Sequence, residues 1–431
     1  MAWLIPFSNL TPAQQDAVQM DTRNHKAIIG GPGAGKTLVL LHRLNLLYHR
    51  AGDKADAVHL FVYTNTLKEF IRAGNDMLDV PDECIGTFDK WCADVYRAHI
   101  AETLPRIEKP HDFERTARRG KKSSRTLPRT GGTLDFEAIR AGAYQAIADN
   151  LLKTPVFEYV LVDEAQDLDV KAIDALKRIA RHVTVCMDGN QQLYESGVSE
   201  IDALAGLGLA RHNAALLSAF RCNPMVTQLA AQFVTDARRR EEFLRQATNA
   251  NMDRATPLLY LSSGFEDEKA RLTEMVRLRL SYGDTIAVLF PTQRQVHGFA
   301  NGFADAGIEV SVQKRDEPID FASPVPKLMT YHQGKGLTFD SVFLPRLDQG
   351  SFQGAMQTRI NNMLFVGISR AIKWIFMSGT NGRLIGPLTE LAQRDNHAFL
   401  ETQLADGAEG MFGGGAIDAA VPATPDDFGL D

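Results

Sequence analysis

Cysteine, long apolar runs and surplus basic charge are all scarce in this chain of 431 residues. Its four cysteines, Cys84, Cys92, Cys186 and Cys222, make no CxxC spacing and have no clustered histidines beside them. That excludes a zinc ribbon and a disulfide framework and leaves reduced, mostly buried thiols. No stretch approaches the roughly 18 uninterrupted apolar residues of a membrane span. The opening MAWLIPFSNL lacks the basic start and cleavage site of a secretory signal, so a cytoplasmic protein without a membrane partner is expected. Lys and Arg number 47 against 53 Asp and Glu, a formal net charge of -6. A wholly basic nucleic-acid coat is thereby excluded, and any such site is a local groove.

What is present is an α/β pattern. The runs VHLFVY (58–63), YVLVDE (159–164), VTVCMD (183–188), TIAVLF (285–290), LMTY (328–331), VFLP (342–345) and WIFMSG (374–379) are near-continuous rather than alternating. Strands of a parallel sheet, buried on both faces, read this way. Amphipathic stretches at 67–78 and 172–182 lie between them, as in a doubly wound fold. The chain is long enough for at least two cores. We expect an N-terminal domain over 1–215 carrying a small insertion at about 93–157, a second domain over 216–400, and a flexible acidic tail over 401–431. The segment 114–132 holds Arg115, Arg118, Arg119, Lys121, Lys122, Arg125 and Arg129 against Glu114 and reads as a flexible basic loop. The Gly-, Ala-, Pro- and Asp-rich residues 406–431 cannot bury enough surface to order themselves.

Chemistry enters with Gly30-Gly31-Pro32-Gly33-Ala34-Gly35-Lys36-Thr37, which fits GxxxxGK[ST] between an apolar strand and a helix. Glycine freedom lets backbone N–H groups close round phosphates at a helix N-terminus, Lys36 reaches the β and γ oxygens, and the Thr37 hydroxyl ligates Mg²⁺. ATP and Mg²⁺ are therefore the expected cofactors. In YVLVDEAQDL an apolar strand delivers Asp163 and Glu164 at its carboxyl end. Asp163 is placed to hold Mg²⁺, and Glu164 to orient or deprotonate the attacking water.

These segments resemble the superfamily 1 helicases of the UvrD/Rep/PcrA type, in family order across residues 10–371. LTPAQQDAV resembles the adenine-reading Q motif, which puts Gln14 on the base edge. VYTNT (62–66) and GTFDKW (86–91) resemble the single-strand-contacting motifs that follow the phosphate loop. MDGNQQLY (187–194) resembles the segment whose glutamine, Gln191, senses the γ-phosphate. FRCNP (220–224) implies Phe220 against the adenine and Arg221 on the γ-phosphate. TYHQGKGLTFD (330–340), with Gly336 at the nucleotide, and LFVGISRA (364–371), with Arg370 as the second arginine, complete the series.

The resemblance implies two RecA-like domains with the ATP site in the cleft between them, and 3′–5′ movement on single-stranded or tailed duplex DNA. Tyr63, Thr64, Asn65, Phe88, Trp91, Tyr194 and His332 then line the DNA groove. Aromatic faces suit that task because bases of any sequence stack on them. The chain departs from the pattern at several positions. Met187 replaces a glycine, Ser196 and Gly197 replace a base-stacking tryptophan and a coupling arginine, Thr338 replaces a ribose-contacting glutamate, and Asp89 replaces a histidine. About 36 residues separate AVLFP from LMTYH, where the family usually inserts a helical subdomain. A near-minimal engine follows, with a nuclease or loading factor as a candidate protein partner. A nucleotide-gated DNA-sensing switch that regulates a partner nuclease stays open as an alternative, and an RNA helicase as a third reading.

Overall fold

The structure is a computed structural model that describes residues 5–72, 79–107, 133–188, 197–217, 222–246, 255–312, 319–321, 323–352, 356–394 and 398–405. The first half alternates helices α1 (Pro12–Gln19), α2 (Lys36–Arg50), α3 (Asn65–Arg72), α4 (Phe88–His99), α5 (Phe136–Ala148), α6 (Val170–Ile179) and α7 (Glu200–Gly206) with strands. The strands are β1 (Lys26–Gly30), β2 (Val58–Val62), β3 (Ile85–Thr87), the short pair β4 (Arg106–Ile107) and β5 (Thr133–Leu134), β6 (Phe157–Val162), β7 (Ala180–Met187) and β8 (Ala215–Leu217). Their order in the first sheet is β3-β2-β6-β7-β1-β8, all parallel. Antiparallel β4 and β5 stand apart.

The second half adds α8 (Pro224–Ala231), α9 (Ala237–Gln246), α10 (Phe265–Ser281), α11 (Gln293–Asp305), α12 (Gln357–Ile368) and α13 (Gly386–Ala392). Its strands β9 (Leu258–Ser262), β10 (Ile286–Phe290), β11 (Ser311–Val312), β12 (Lys327–Thr330), β13 (Phe339–Leu344), β14 (Ala371–Thr380) and β15 (Glu401–Leu404) form a second parallel sheet in the order β11-β12-β10-β13-β14-β9-β15. Two RecA-like α/β domains result.

Burial explains the near-continuous apolar strands. One face of the first sheet packs under α4, α5, α6 and α7, and one face of the second under α10 and α11. The remaining faces of both sheets, with α1, α2, α8, α12 and α13, share one apolar core that runs through the domain interface. Each fully buried Leu, Val or Phe contributes about 1.5–3 kcal/mol, so the interface is a continuation of the core. Leu67 of α3 meets Gly336, and Phe70 meets Phe321 edge-on at 5.1 Å.

Several expectations are corrected. The helix read over 172–182 stops at Ile179, because Ala180 pairs with Phe157 and opens β7. Leu216 and Leu217 belong to the first sheet through β8, so that domain passes the expected boundary at 215. Residues 401–404, assigned to the tail, form edge strand β15 on β9; four residues of which three are polar carry too little pattern to show as a strand. Within the expected insertion, α5 packs on α4 and buries Ile139, Ala143, Ala146 and Ile147 in the first sheet's core. The basic loop at 115–129 and the tail at 406–431 lie outside the described residues.

Candidate active site

The phosphate loop forms because β1 ends at Gly30 and α2 starts at Lys36, with Gly33 at φ 73° and Gly35 at φ 79° between them. At Gly35 a Cβ would also stand 2.6 Å from the Gln14 carboxamide, so glycine is required twice over. Gln14 caps α1 reciprocally with Thr11 and donates to the Ala34 carbonyl at 3.0 Å. Its amide therefore braces the loop. Pro32 and Ala34 complete the turn, and both line the cleft. Lys36 is buried, donates to the carbonyls of Gly30 at 2.8 Å and Gly31 at 3.1 Å, and stands 3.8 Å from Asp188.

The two candidate metal-binding oxygens are brought together: the Thr37 hydroxyl donates to Asp163 at 2.6 Å. Burial, and then the neighbouring Glu164 carboxylate, raise the Asp163 pKa, which is the mark of a carboxylate whose charge lacks a full counter-ion. A hard cation between Thr37 and Asp163 fits that donor set. Glu164 sits at φ 53°, a left-handed backbone that costs a residue with a Cβ about 1–2 kcal/mol. The Asp163 carboxylate accepts the Glu164 N–H at 3.0 Å and holds it there. Burial pushes the Glu164 pKa up, but Lys335, Lys36 and Arg370 outweigh it, and the carboxyl stays below its usual range. Gln166 donates to Glu164 and accepts the Asp188 N–H at 3.1 Å.

The second domain closes the site. Arg370, buried after α12, donates to the carbonyls of Val366 at 2.9 Å and Leu337 at 3.2 Å and to the Ser369 hydroxyl at 3.0 Å. Burial lowers its pKa, and the charges of Glu164 and Asp188 oppose that shift. Gly336, at φ 81°, carries the turn between β12 and β13 against the first domain. Lys36, Thr37, Glu164, Gly336, Thr338 and Arg370 all border one cavity of about 410 Å³, a size suited to a small-molecule ligand.

The sequence reading overlooked Lys335, although it lies inside a quoted motif. From the second domain it reaches Asp167 directly and Glu164 at 3.7 Å. A lysine between two glycines after a buried strand was the available signal. Asp167, Gln166 and Asp188 were likewise not singled out.

The nucleic-acid candidates fall apart into kinds. Half-buried Tyr63 turns its ring to Lys335, 5.2 Å from the ring centre. Thr64 accepts the Leu67 N–H at 3.0 Å as the cap of α3, and Asn65 is exposed beside it. Phe88 is corrected: it is 4% exposed, packed against Phe61, Trp91 and Tyr144 in the first core, so no face is open to a base. Half-buried Trp91 stacks on it. Asp89 pairs with Arg140 at 2.6 Å and ties α4 to α5. His332 is half-buried, and burial, then Arg359 and Lys335, lower its pKa. Gln191, Tyr194, Ser196, Phe220 and Arg221 lie outside the described residues.

Two family models match the chain. A family model described as an AAA domain matches residues 14–197, and one for the UvrD-like helicase C-terminal domain matches residues 314–382. A probable DNA helicase of Mycoplasma pneumoniae is 24% identical over 243 residues, which are 52% of this chain and 44% of that protein; the chain thus spans less than half of its relative. A solved structure, the C-terminal domain of a possible DNA helicase from a Lactobacillus, shares 17% identity at a TM-score of 0.33, covering 43% of this chain and 99% of its own. The two family models fall in chain order on the two sheets whose facing edges hold the phosphate loop and Arg370, and the chain belongs to the UvrD-like superfamily 1 helicases.

Proposed function

We propose that the protein is an ATP- and Mg²⁺-dependent 3′–5′ DNA helicase or single-stranded DNA translocase. The observation that carries this reading is the composite cavity: Lys36, Thr37 and Glu164 from one domain and Arg370 from the other border the same space. Water attacks the γ-phosphorus, the bond to the β–γ bridging oxygen breaks, and the water's proton passes toward Glu164. Ionised Glu164 orients that water, Lys36 and Arg370 offset charge on the transferring phosphoryl group, and the phosphate-loop N–H groups hold the rest. Thr37 and Asp163 would hold Mg²⁺, which would supply charge neutralisation at the phosphates. Nucleotide bridging both domains favours closure and product release favours opening, a cycle able to step along a strand. Gln191, Phe220 and Arg221 keep the phosphate- and adenine-contacting roles the resemblance gives them, and Tyr63, Thr64, Asn65, Tyr194 and His332 the DNA contacts.

The test is ATPase rate with and without oligo-dT, followed by strand displacement on 3′- and 5′-tailed duplexes. Stimulation with unwinding or movement from 3′ tails supports the reading, and no stimulation by single strands sinks it. A second reading, a nucleotide-gated switch acting on a partner nuclease, is favoured by one feature. The link from β10 to β12 holds α11 and β11, with no helical subdomain among the described residues. Stimulated ATPase without streptavidin displacement from biotinylated strands selects the switch.

A further inference from the structure

The cavity between the domains is longer than the triphosphate machinery requires. Four neighbouring strands of the second sheet, β14, β13, β10 and β12, turn their amino ends to it and contribute Ile372, Phe339, Ile286 and Lys327 in that order. Strands stand about 4.8 Å apart, so Lys327 lies about 14 Å along the sheet from the start of β14. Lys36 and Arg370 both act on Glu164, which fixes the phosphate end at β14. The base belongs to that end too. Phe220, which the resemblance sets against the adenine, stands two residues before Cys222, whose sulfur lies 3.3 Å from where a Cβ on Gly33 would stand. The arm that runs on to β12 is therefore left without a task. It is bounded by Phe70 of α3 from the first domain and by Phe321, Ser323, Pro324, Val325 and Lys327 from the second.

We propose that this arm is a second small-molecule site, taking an organic anion with a flat apolar body, and that its occupant slows the opening and closing of the domains. The body fits the half-buried rings of Phe70 and Phe321, which meet edge-on at 5.1 Å across the domain interface, with Pro324 and Val325 beside them. The anionic head fits Lys327. That side chain is 5% exposed, and among the described residues its ammonium donates only to the Ser323 carbonyl, at 2.6 Å. An ammonium carries three donors and no acceptor, so two are left to be met, and a buried charge is costly until an opposite charge reaches it. Burial lowers the Lys327 pKa to about 8, and exposed Asp320 only partly opposes that shift. Asp340, which also borders the cavity, is held by the Thr285 N–H at 3.0 Å, the Thr285 hydroxyl at 2.8 Å and Lys373 at 3.2 Å, so its charge is offset where it stands. Because Phe70 comes from one domain and Lys327 from the other, an occupant touches both and biases their equilibrium. This regulatory half rests on the ATPase cycle proposed above; the binding half does not.

The experiment follows, on the full chain, the fluorescence of anilinonaphthalene sulfonate, an aromatic anion, and of phenylnaphthylamine, the same rings without the charge. Wild type is expected to bind the sulfonate saturably, with saturating Mg²⁺ and ADP present as in their absence. Lys327→Met is expected to weaken the sulfonate about tenfold and to leave phenylnaphthylamine within about twofold, since only charge-assisted hydrogen bonds are lost. Pro324→Glu sets a carboxylate at an exposed position on the rim and is expected to weaken the sulfonate alone, by about fivefold. It carries the test where thermal melting shows that Lys327→Met does not fold. Saturating sulfonate is expected to lower kcat for ATP about threefold or more and to leave KM within about twofold. Absence of saturable sulfonate binding to wild type, or its displacement by ADP, overturns the site. So does an unchanged sulfonate affinity in Lys327→Met, or in Pro324→Glu where the first does not fold. Binding that leaves kcat as it was overturns the regulatory half, and a wild type without ATPase activity overturns the motor reading while the binding result stands.

Discussion

Buried charges occur in two settings in this molecule, at the cleft and away from it, and they are balanced differently. Within the second domain Glu268 is fully buried, yet it accepts the Ser378 hydroxyl at 2.8 Å, the Arg346 N–H at 2.8 Å and the Arg346 guanidinium at 2.9 Å. Asp284 is similarly met by Arg279, Ser341 and Lys373. At the cleft, burial and then the neighbouring Glu164 carboxylate raise the Asp163 pKa, and the left-handed backbone of Glu164 adds strain. A fully paired buried charge holds a fold, whereas a crowded one stores a preference for an incoming cation or a closing domain.

That contrast breaks most sharply by substitution at the cleft. Lys36→Ala, Glu164→Gln and Arg370→Ala are each expected to lower turnover by about 10²- to 10³-fold, read as steady-state phosphate release. The melting temperature of Asp163→Asn should hold or rise, because the member of the pair whose charge burial and Glu164 disfavour loses it; a marked fall there would erase the distinction. Away from the cleft the signs reverse. Glu268→Gln takes one of two counter-charges from Arg346, which keeps Asp348 at 3.1 Å, and is expected to cost about 2 kcal/mol of unfolding free energy. Urea denaturation checks this, and the fraction still folded should retain its turnover per molecule.

The smallest effect concerns His59, packed between Phe61 and Phe157 with its pKa lowered from 6.5 to about 4 by burial, then by Lys68 and Lys90. Its folded pKa lies below the unfolded value, so the stability from burying it neutral is present above pH 6.5 and drains as pH falls through 4. His59→Gln should remove about 2 kcal/mol of the loss between pH 7 and 4.5. Urea midpoints at the two pH values would show an unchanged acid slope if the imidazole were in fact wet.

Legibility followed the same division. The phosphate loop, the acids closing β6 and the parallel strands were readable because each is a local pattern: glycines at fixed offsets, apolar runs, a strand ending in carboxylates. Phe88 was misread because a stacking aromatic and a core aromatic have the same letter, and only the packing of Trp91 and Tyr144 around it separates them. Gln14 sits where the motif puts it, but its amide serves Ala34 and Thr11.

The sequence by itself determined the two parallel sheets and the chemistry of residues 30–37 and 163–164, since backbone freedom and burial period act over a few neighbours. Tertiary structure decided which cation meets which carboxylate. Lys335 and Asp167 lie 168 positions apart, and an ion pair becomes strong only when folding brings its members into contact and takes the water from between them.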